Sequence, residues 1–198
     1  MNMAFTRTGS AAAPAKAAAR ETSSDEMLIE RIAQGDQLAM RTLFGRHRVA
    51  LYRWLLRLVR DEALAEDLLS DVFLDVWRQA DRFQARSSVS TWLMAIARFK
   101  ALSARRVRED AELDETIDAT VADSADDPEV MLEKKSRDAL VRKAVTTLSP
   151  EHREVIDLVY YHEKSVDECA QILGVPAGTV KTRMFYARRK LAEMVKAA

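Results

Sequence analysis

The sequence predicts an all-α protein: two small helical domains joined by an acidic flexible linker, the second ending in a helix-turn-helix. Three observations carry that prediction. Five glycines and four prolines in 198 residues are too few for a sandwich or barrel, which needs a turn about every ten residues. Apolar residues recur at helical spacings through most of a chain that is 48% hydrophobic and 31% charged, a composition that can bury a core. Charge is segregated although the total is zero, 31 bases against 31 acids. Arg82 to Arg108 carries seven bases and no acid, Glu109 to Glu133 eleven acids and no base, and Pro176 to Ala198 six bases against Glu193 alone. Local sign, more than net charge, then sets what each stretch can bind.

In chain order, residues 1–24 hold eight alanines and no acid before Glu21, with no period that buries one face, and are expected to be a disordered tail. Ser23 and Glu26 have capping-box spacing, so order is expected from Asp25. Leu28, Ile32, Met40, Leu43, Phe44, Leu51, Leu55, Leu58 and Val59 then fall at helical intervals, with Gly35-Asp36 as a break, which gives two helices ending near Arg60. Asp61 to Ala80 repeats the pattern with Leu64, Leu68, Val72, Phe73, Val76, Trp77 and Ala80. Its first part, Asp61 to Asp75, carries six acids and no base, so one face is negative. A polar loop, Arg82 to Ser90, precedes a helix from Thr91 to Arg106 that places Trp92, Leu93, Ile96, Ala97 and Leu102 toward a core. These elements define a first domain over 25–108.

Residues 109–128 lack a sustained apolar period and read as the linker. Asp127-Pro128 has the form of a helix start and opens a second domain over 129–198, beginning with a helix from Val130 to Leu148. Ser149-Pro150-Glu151 is another cap and first turn, leading into Val155 to Tyr161. Ser165-Val166-Asp167-Glu168 is a capping box for a short helix through Leu173; Gly174 suits its left-handed end, and Pro176 helps start the next helix. Helix, tight turn and helix within about 25 residues match the motif that sets a reading helix against a support. Ala170 is the small residue at the crossing. In the last helix Val175, Val180, Met184, Ala187 and Leu191 form a core stripe, while Lys181, Thr182, Phe185, Arg188 and Arg189 lie opposite. Lys and Arg reach guanine edges or phosphates, Thr hydrogen-bonds either, and Phe meets a thymine methyl, so that face suits a major groove.

Other classes are poorly served. The single cysteine, Cys169, excludes an internal disulfide and a thiolate zinc site, which fits a reducing compartment and a cytoplasmic location; at an apolar helix position it is expected to be inert core. No stretch approaches the roughly 18 apolar residues of a membrane span, so no membrane insertion is expected. His47, His152 and His162 have no partners at metal-site spacing and are expected at the surface or in caps. Without a nucleophile elbow or a glycine-rich phosphate loop, no catalytic residue, metal or cofactor is expected.

Leu173-Gly174-Val175-Pro176-Ala177-Gly178-Thr179-Val180-Lys181-Thr182-Arg183 resembles the last helix-turn-helix of the extracytoplasmic-function (ECF) sigma factors of bacterial RNA polymerase. Ala65 to Trp77 is similar to that family's polymerase-binding helix, and Ser90 to Arg98 to its promoter-melting helix. The resemblance runs from about Leu28 to Glu193, in the family's order. It implies a protein, not an enzyme, that joins core RNA polymerase, reads the minus-35 and minus-10 elements of promoter DNA and is controlled by an anti-sigma factor. It also implies roles by position. Glu66, Asp67, Asp71 and Asp75 would meet a basic coiled coil of the polymerase. Arg86, Ser87, Ser88, Arg98, Lys100, Arg105 and Arg106 would hold the minus-10 strand. Thr179, Lys181, Thr182, Arg183, Phe185, Arg188 and Arg189 would contact the minus-35 duplex. Ser70, Phe99 and Tyr186 depart from residues common in the family. A stand-alone helix-turn-helix regulator is the alternative reading.

Overall fold

Most of the helices begin where a side-chain oxygen can take up the backbone N–H groups that a first turn leaves without partners. The computed structural model describes the backbone of residues 24–114 and 144–196, and the side chains of 24–108 and 144–194. Among the described residues all regular structure is helical.

Helix α1, Asp25–Ala33, is capped by Ser24, whose Oγ accepts from the Met27 N–H at 3.3 Å. The cap expected at Ser23 is therefore one residue too early. With Ser24 as cap, Asp25 and Glu26 both occupy the first turn, where acids complement the helix dipole, and Met27 at the third position cannot close a capping box. Gly35, at φ +85°, turns the chain into α2, Gln37–Val59. Asp36 caps it, accepting from the N–H groups of Leu38 and Ala39 while its other oxygen accepts from Arg31. Helix α3, Glu62–Gln79, is capped by Asp61 and runs into a 3-10 turn, Ala80–Arg82. Helix α4, Val89–Asp114, carries helical backbone six residues into the acidic segment expected as linker. Residues 1–23 of the expected tail, 115–128 of the expected linker and most of the expected helix from Val130 to Leu148 lie outside the described residues.

In the second domain α5, Pro150–Tyr160, has Ser149 as cap and proline at its first position. Helix α6, Val166–Leu173, has both halves of the expected capping box and ends at Gly174 in the left-handed conformation, φ +65°. Helix α7, Ala177–Lys196, follows.

Helix α2 is the hub of the first domain, with α1, α3 and α4 packed against it. Leu43, Trp54, Leu55, Val72, Val76 and Leu93 are fully buried there, each large aliphatic contributing about 1.5 to 3 kcal/mol. In the second domain α5 and α6 pack on α7, and Val155, Leu158, Cys169 and Val180 are fully buried. Helix α6 also lies against α4, so one apolar cluster runs through both domains. No helix among the described residues is long and apolar enough to cross a membrane.

Candidate functional site

Three surfaces of distinct chemistry emerge from this framework. The first is the outer face of α3. Ala65, Leu68, Val72, Phe73 and Val76 face the core, and that registry turns Glu66, Asp67 and Asp71 to solvent and leaves Asp75 half-buried. Lys100 Nζ from α4 lies 2.8 Å from Asp75 and 4.0 Å from Asp71. Ser70 Oγ donates back to the Glu66 carbonyl at 3.1 Å. Asp61, at the start of the same helix, is held below the usual carboxylate range by the Leu64 N–H, with help from Arg108. Beside the acids stand Leu74 and Trp77, 43% and 37% exposed. Trp77 belonged to the expected core stripe. The helix has a wider polar face than the spacing implied, and the tryptophan sits on its margin, giving the acidic face an apolar edge.

The second surface is the loop before α4 and the helix itself. Phe83 and Trp92 pack with ring centroids 5.1 Å apart, so Trp92 is a partly buried packing residue, as its spacing implied. Arg86, Ser88, Arg105 and Arg106 are exposed and Ser87 is half-buried. Two of the basic residues assigned to this surface are engaged within the chain. Arg98 donates through Nε to Glu154 at 2.8 Å and through Nη1 to the Leu173 carbonyl at 3.3 Å, and Lys100 turns to the acids of α3. Phe99 and Val107 are 71% and 70% exposed along an open groove between α3 and α4 that also takes in Leu64, Leu68 and Ala104.

The third surface is the outer face of α7. Val180, Met184 and Ala187 are buried and Leu191 is half-buried, as the stripe predicts. Lys181, Thr182, Phe185, Arg188 and Arg189 all point outward, while Thr179 and Arg183 are half-buried at its edge. Arg189 pairs with Glu193 at 3.6 Å, and its guanidinium lies over the Tyr186 ring. Sequence reasoning missed Tyr160. Its hydroxyl accepts from Arg188 Nε at 2.8 Å, with the guanidinium over the ring, so it fixes where Arg188 points. Tyr160 falls off the Val155 and Leu158 stripe of α5, an off-stripe aromatic that could have marked it.

Between the domains lies a polar seam that no local pattern announced. Thr91 Oγ1 and Ser88 Oγ donate to Glu168 Oε1 at 2.7 and 3.2 Å, and Lys164 Nζ donates to Ser90 Oγ at 3.0 Å. Burial opposes charge on Glu168, yet Thr91, Ser165 and Lys164 outweigh it and hold the carboxyl at about 2. Arg57 of α2 pairs with the buried Asp157 of α5 and stacks on Tyr161. His162, expected at the surface or in a cap, is instead buried, its side chain 7% exposed and its ring edge-on to Trp54. Burial first, then the cations Arg57, Lys164 and Arg53, depress it to about 4, so it is neutral at pH 7. His47 bonds Asp25 at 2.6 Å, and the His152 N–H lies in the α5 cap. Cys169 is fully buried, and burial with Glu168 nearby raises its thiol to about 11.

These surfaces offer recognition: one acidic face with an apolar edge and two basic faces with aromatics.

Two family models match the chain. Sigma-70 region 2 matches residues 43–110 and sigma-70 region 4 matches residues 138–191. The chain is 35% identical over 170 residues to RNA polymerase sigma factor CarQ of Myxococcus xanthus, covering 84% of this chain and 95% of that protein. It is 31% identical over 160 residues to ECF RNA polymerase sigma factor SigL of Mycobacterium tuberculosis, covering 80% of this chain and 90% of the relative. Among solved structures it resembles CnrH in complex with the cytosolic domain of CnrY, at 27% identity and TM-score 0.64 over 88% of this chain and 99% of that one. It also resembles sigma factor RpoE in complex with the anti-sigma factor NepR from Bartonella quintana, at 28% identity and TM-score 0.62 over 79% and 96% of the two chains.

Proposed function

The chain belongs to the ECF sigma factors of the sigma-70 family, and from that premise we propose how its surfaces divide the work of an alternative sigma factor. It joins core RNA polymerase, brings the enzyme to particular promoters and starts transcription there, without chemistry of its own and in the cytoplasm where the polymerase acts. The first domain, 25–108, carries polymerase binding and minus-10 reading; the second, 129–198, carries minus-35 reading.

The observation that carries this assignment is the separation of charge into faces of single helices. Glu66, Asp67, Asp71 and Asp75 lie along α3 and meet a basic coiled coil of the polymerase, where opposite charge speeds encounter and fixes register. Leu74 and Trp77 supply apolar contact at the rim. Arg86, Arg105 and Arg106 hold phosphates of the minus-10 region, and Ser87 and Ser88 hydrogen-bond the opened strand. Arg98 and Lys100 join them when their internal acids are displaced. On α7, Thr179, Lys181, Thr182, Arg183, Phe185, Arg188 and Arg189 enter or border the major groove of the minus-35 duplex. An anti-sigma factor holds the protein idle by covering surfaces of both domains; the two solved relatives are each bound to another protein, CnrH to the cytosolic domain of CnrY and RpoE to the anti-sigma factor NepR.

Run-off transcription with purified core polymerase tests the reading. The protein and core enzyme together give defined transcripts, and either alone gives none. Tight, sequence-selective operator binding by the protein alone, in the roughly nanomolar range of repressors, would instead identify a stand-alone regulator.

A further inference from the structure

A cavity of about 190 Å³ lies where α2, α4 and the turn between α5 and α6 meet. Ala50, Leu51 and Met94 give its lining an apolar part, and Ser90 and Lys164 a polar one. No residue of the lining is among the polymerase or DNA contacts assigned above. We propose that the cavity is a binding site for a small aliphatic carboxylate, whose carboxyl group meets Lys164 Nζ and Ser90 Oγ and whose chain lies on Ala50, Leu51 and Met94. Its size is below the roughly 300 to 1,000 Å³ of a drug-sized pocket. At the roughly 30 Å³ that a water-sized group fills, it holds about six such groups, the size of a four-carbon acid.

The charges at the cavity select an anion. Lys164 is only 9% exposed, so its ammonium has left water and depends on acceptors inside the protein. Those acceptors are unequal: Ser90 Oγ at 3.0 Å, Glu168 Oε1 at 3.3 Å and Thr91 Oγ1 at 3.4 Å. Glu168 makes its shorter bonds elsewhere, accepting from Thr91 at 2.7 Å and from the Ser165 N–H and hydroxyl at 3.0 Å. A ligand carboxylate at the usual ammonium–carboxylate length of about 2.8 Å improves on the long Thr91 contact. Ser90 Oγ accepts from Lys164 and donates to no partner among the described residues, which leaves its proton for the second carboxylate oxygen. The field here is positive as well: Arg57, Lys164 and Arg53 add to burial in keeping His162, another lining residue, unprotonated. Glu163 is the one acid of the lining, and it is exposed, where water screens it. Two donors suit one carboxylate, whereas a phosphate has three terminal oxygens to satisfy, and the side chains of Ala50, Leu51 and Met94 supply no further donor. They favour a short hydrocarbon chain, which gains by leaving water. No group of three His, Cys, Asp or Glu able to hold a metal ion occurs among the described residues, so His47 and His162 in the lining do not make this a metal site. A ligand seated here touches both domains at once, so its binding and their association favour each other.

The test uses the full chain and butyrate, with butyramide as its uncharged isostere, at ionic strength matched with sodium chloride. It needs neither polymerase nor DNA, so its failure leaves the sigma-factor assignment standing. At about 20 mM, butyrate should raise the melting temperature of the wild type by about 3 °C, and butyramide by less than about 1 °C. Lys164→Met keeps the stem and removes the charge; Ala50→Phe fills the cavity from an exposed position on α2. Both variants should lose the response to butyrate. Arg41→Met, exposed on the same helix and outside the lining, should keep it. Where Lys164→Met melts without cooperativity, Ala50→Phe decides, since its substitution leaves the contacts of Lys164 in place. Equal shifts from butyrate and butyramide, a wild-type response in Ala50→Phe or in folded Lys164→Met, or no shift in the wild type would each overturn the proposal.

Discussion

Lowering the pH from 7 to 5 should cost the folded protein about 2 kcal/mol through His162 alone. The imidazole sits at about 4 in the folded chain against an ordinary value of 6.5, because it is buried and because Arg57, Lys164 and Arg53 lie close by. Asp157, at 3.6 Å, favours the imidazolium, but its charge is already paired with Arg57, which offsets that pull. A histidine depressed on folding stabilises the native state fully above its unfolded value and progressively less as pH falls toward its folded value. Between pH 6.5 and 4 the unfolded chain binds the proton and the folded chain does not, at about 1.4 kcal/mol per pH unit. At pH 5 the summed loss is about 2 kcal/mol. Glu168, held at about 2, loses its contribution only below its ordinary value of 4.5, so the window from 6.5 to 5 is separate. Urea unfolding of wild type and His162→Gln at both pH values measures the loss. The variant should lose less than wild type by about 2 kcal/mol; equal losses would show that burial of a neutral imidazole is not the cause.

Three further outcomes follow from single contacts. Ser165→Ala removes the oxygen that accepts from the Glu168 N–H and donates to its carboxylate, and should lower stability by about 1 to 2 kcal/mol in chemical denaturation, with Ser165→Thr recovering most of it. Cys169, buried with its thiol at about 11, should react with a disulfide reagent only when denaturant is added. Tyr160→Phe removes the acceptor for Arg188 Nε and should weaken binding of the polymerase complex to minus-35 duplex by about two- to fivefold without moving the melting temperature of the free protein.

The helices were legible wherever a local rule acts over three or four residues. Ser149-Pro150, Ser165 with Glu168, and Gly174 announce the second domain's boundaries because caps and left-handed ends depend on near neighbours, and the Val180, Met184, Ala187 stripe correctly sorts the faces of α7. The slip from Ser23 to Ser24 arose because two adjacent serines both satisfy the cap chemistry, and only packing of Leu28, Ile29 and Ile32 selects the phase. Trp77 and His162 failed in opposite directions for one reason: a single helix's period says which residues share a face, and neighbouring helices decide how wide the buried face is. The seam between domains left no trace in sequence, since Arg98 and Glu154 are 56 residues apart and Ser88 and Glu168 80 apart. The same distance in sequence hides that bases of α4 which read as free phosphate contacts are paired with acids of α3 and α5.

The division of labour among the three faces depends most on α3 being the polymerase contact, and Asp71 is its most direct probe. Its side chain is 59% exposed, with Lys100 Nζ 4.0 Å away, so Asp71→Arg should leave the fold intact. Equilibrium binding to purified core polymerase should weaken by about tenfold or more for Asp71→Arg, while Glu30→Arg on α1 binds like wild type. Unchanged binding of Asp71→Arg would contradict the assignment of this face.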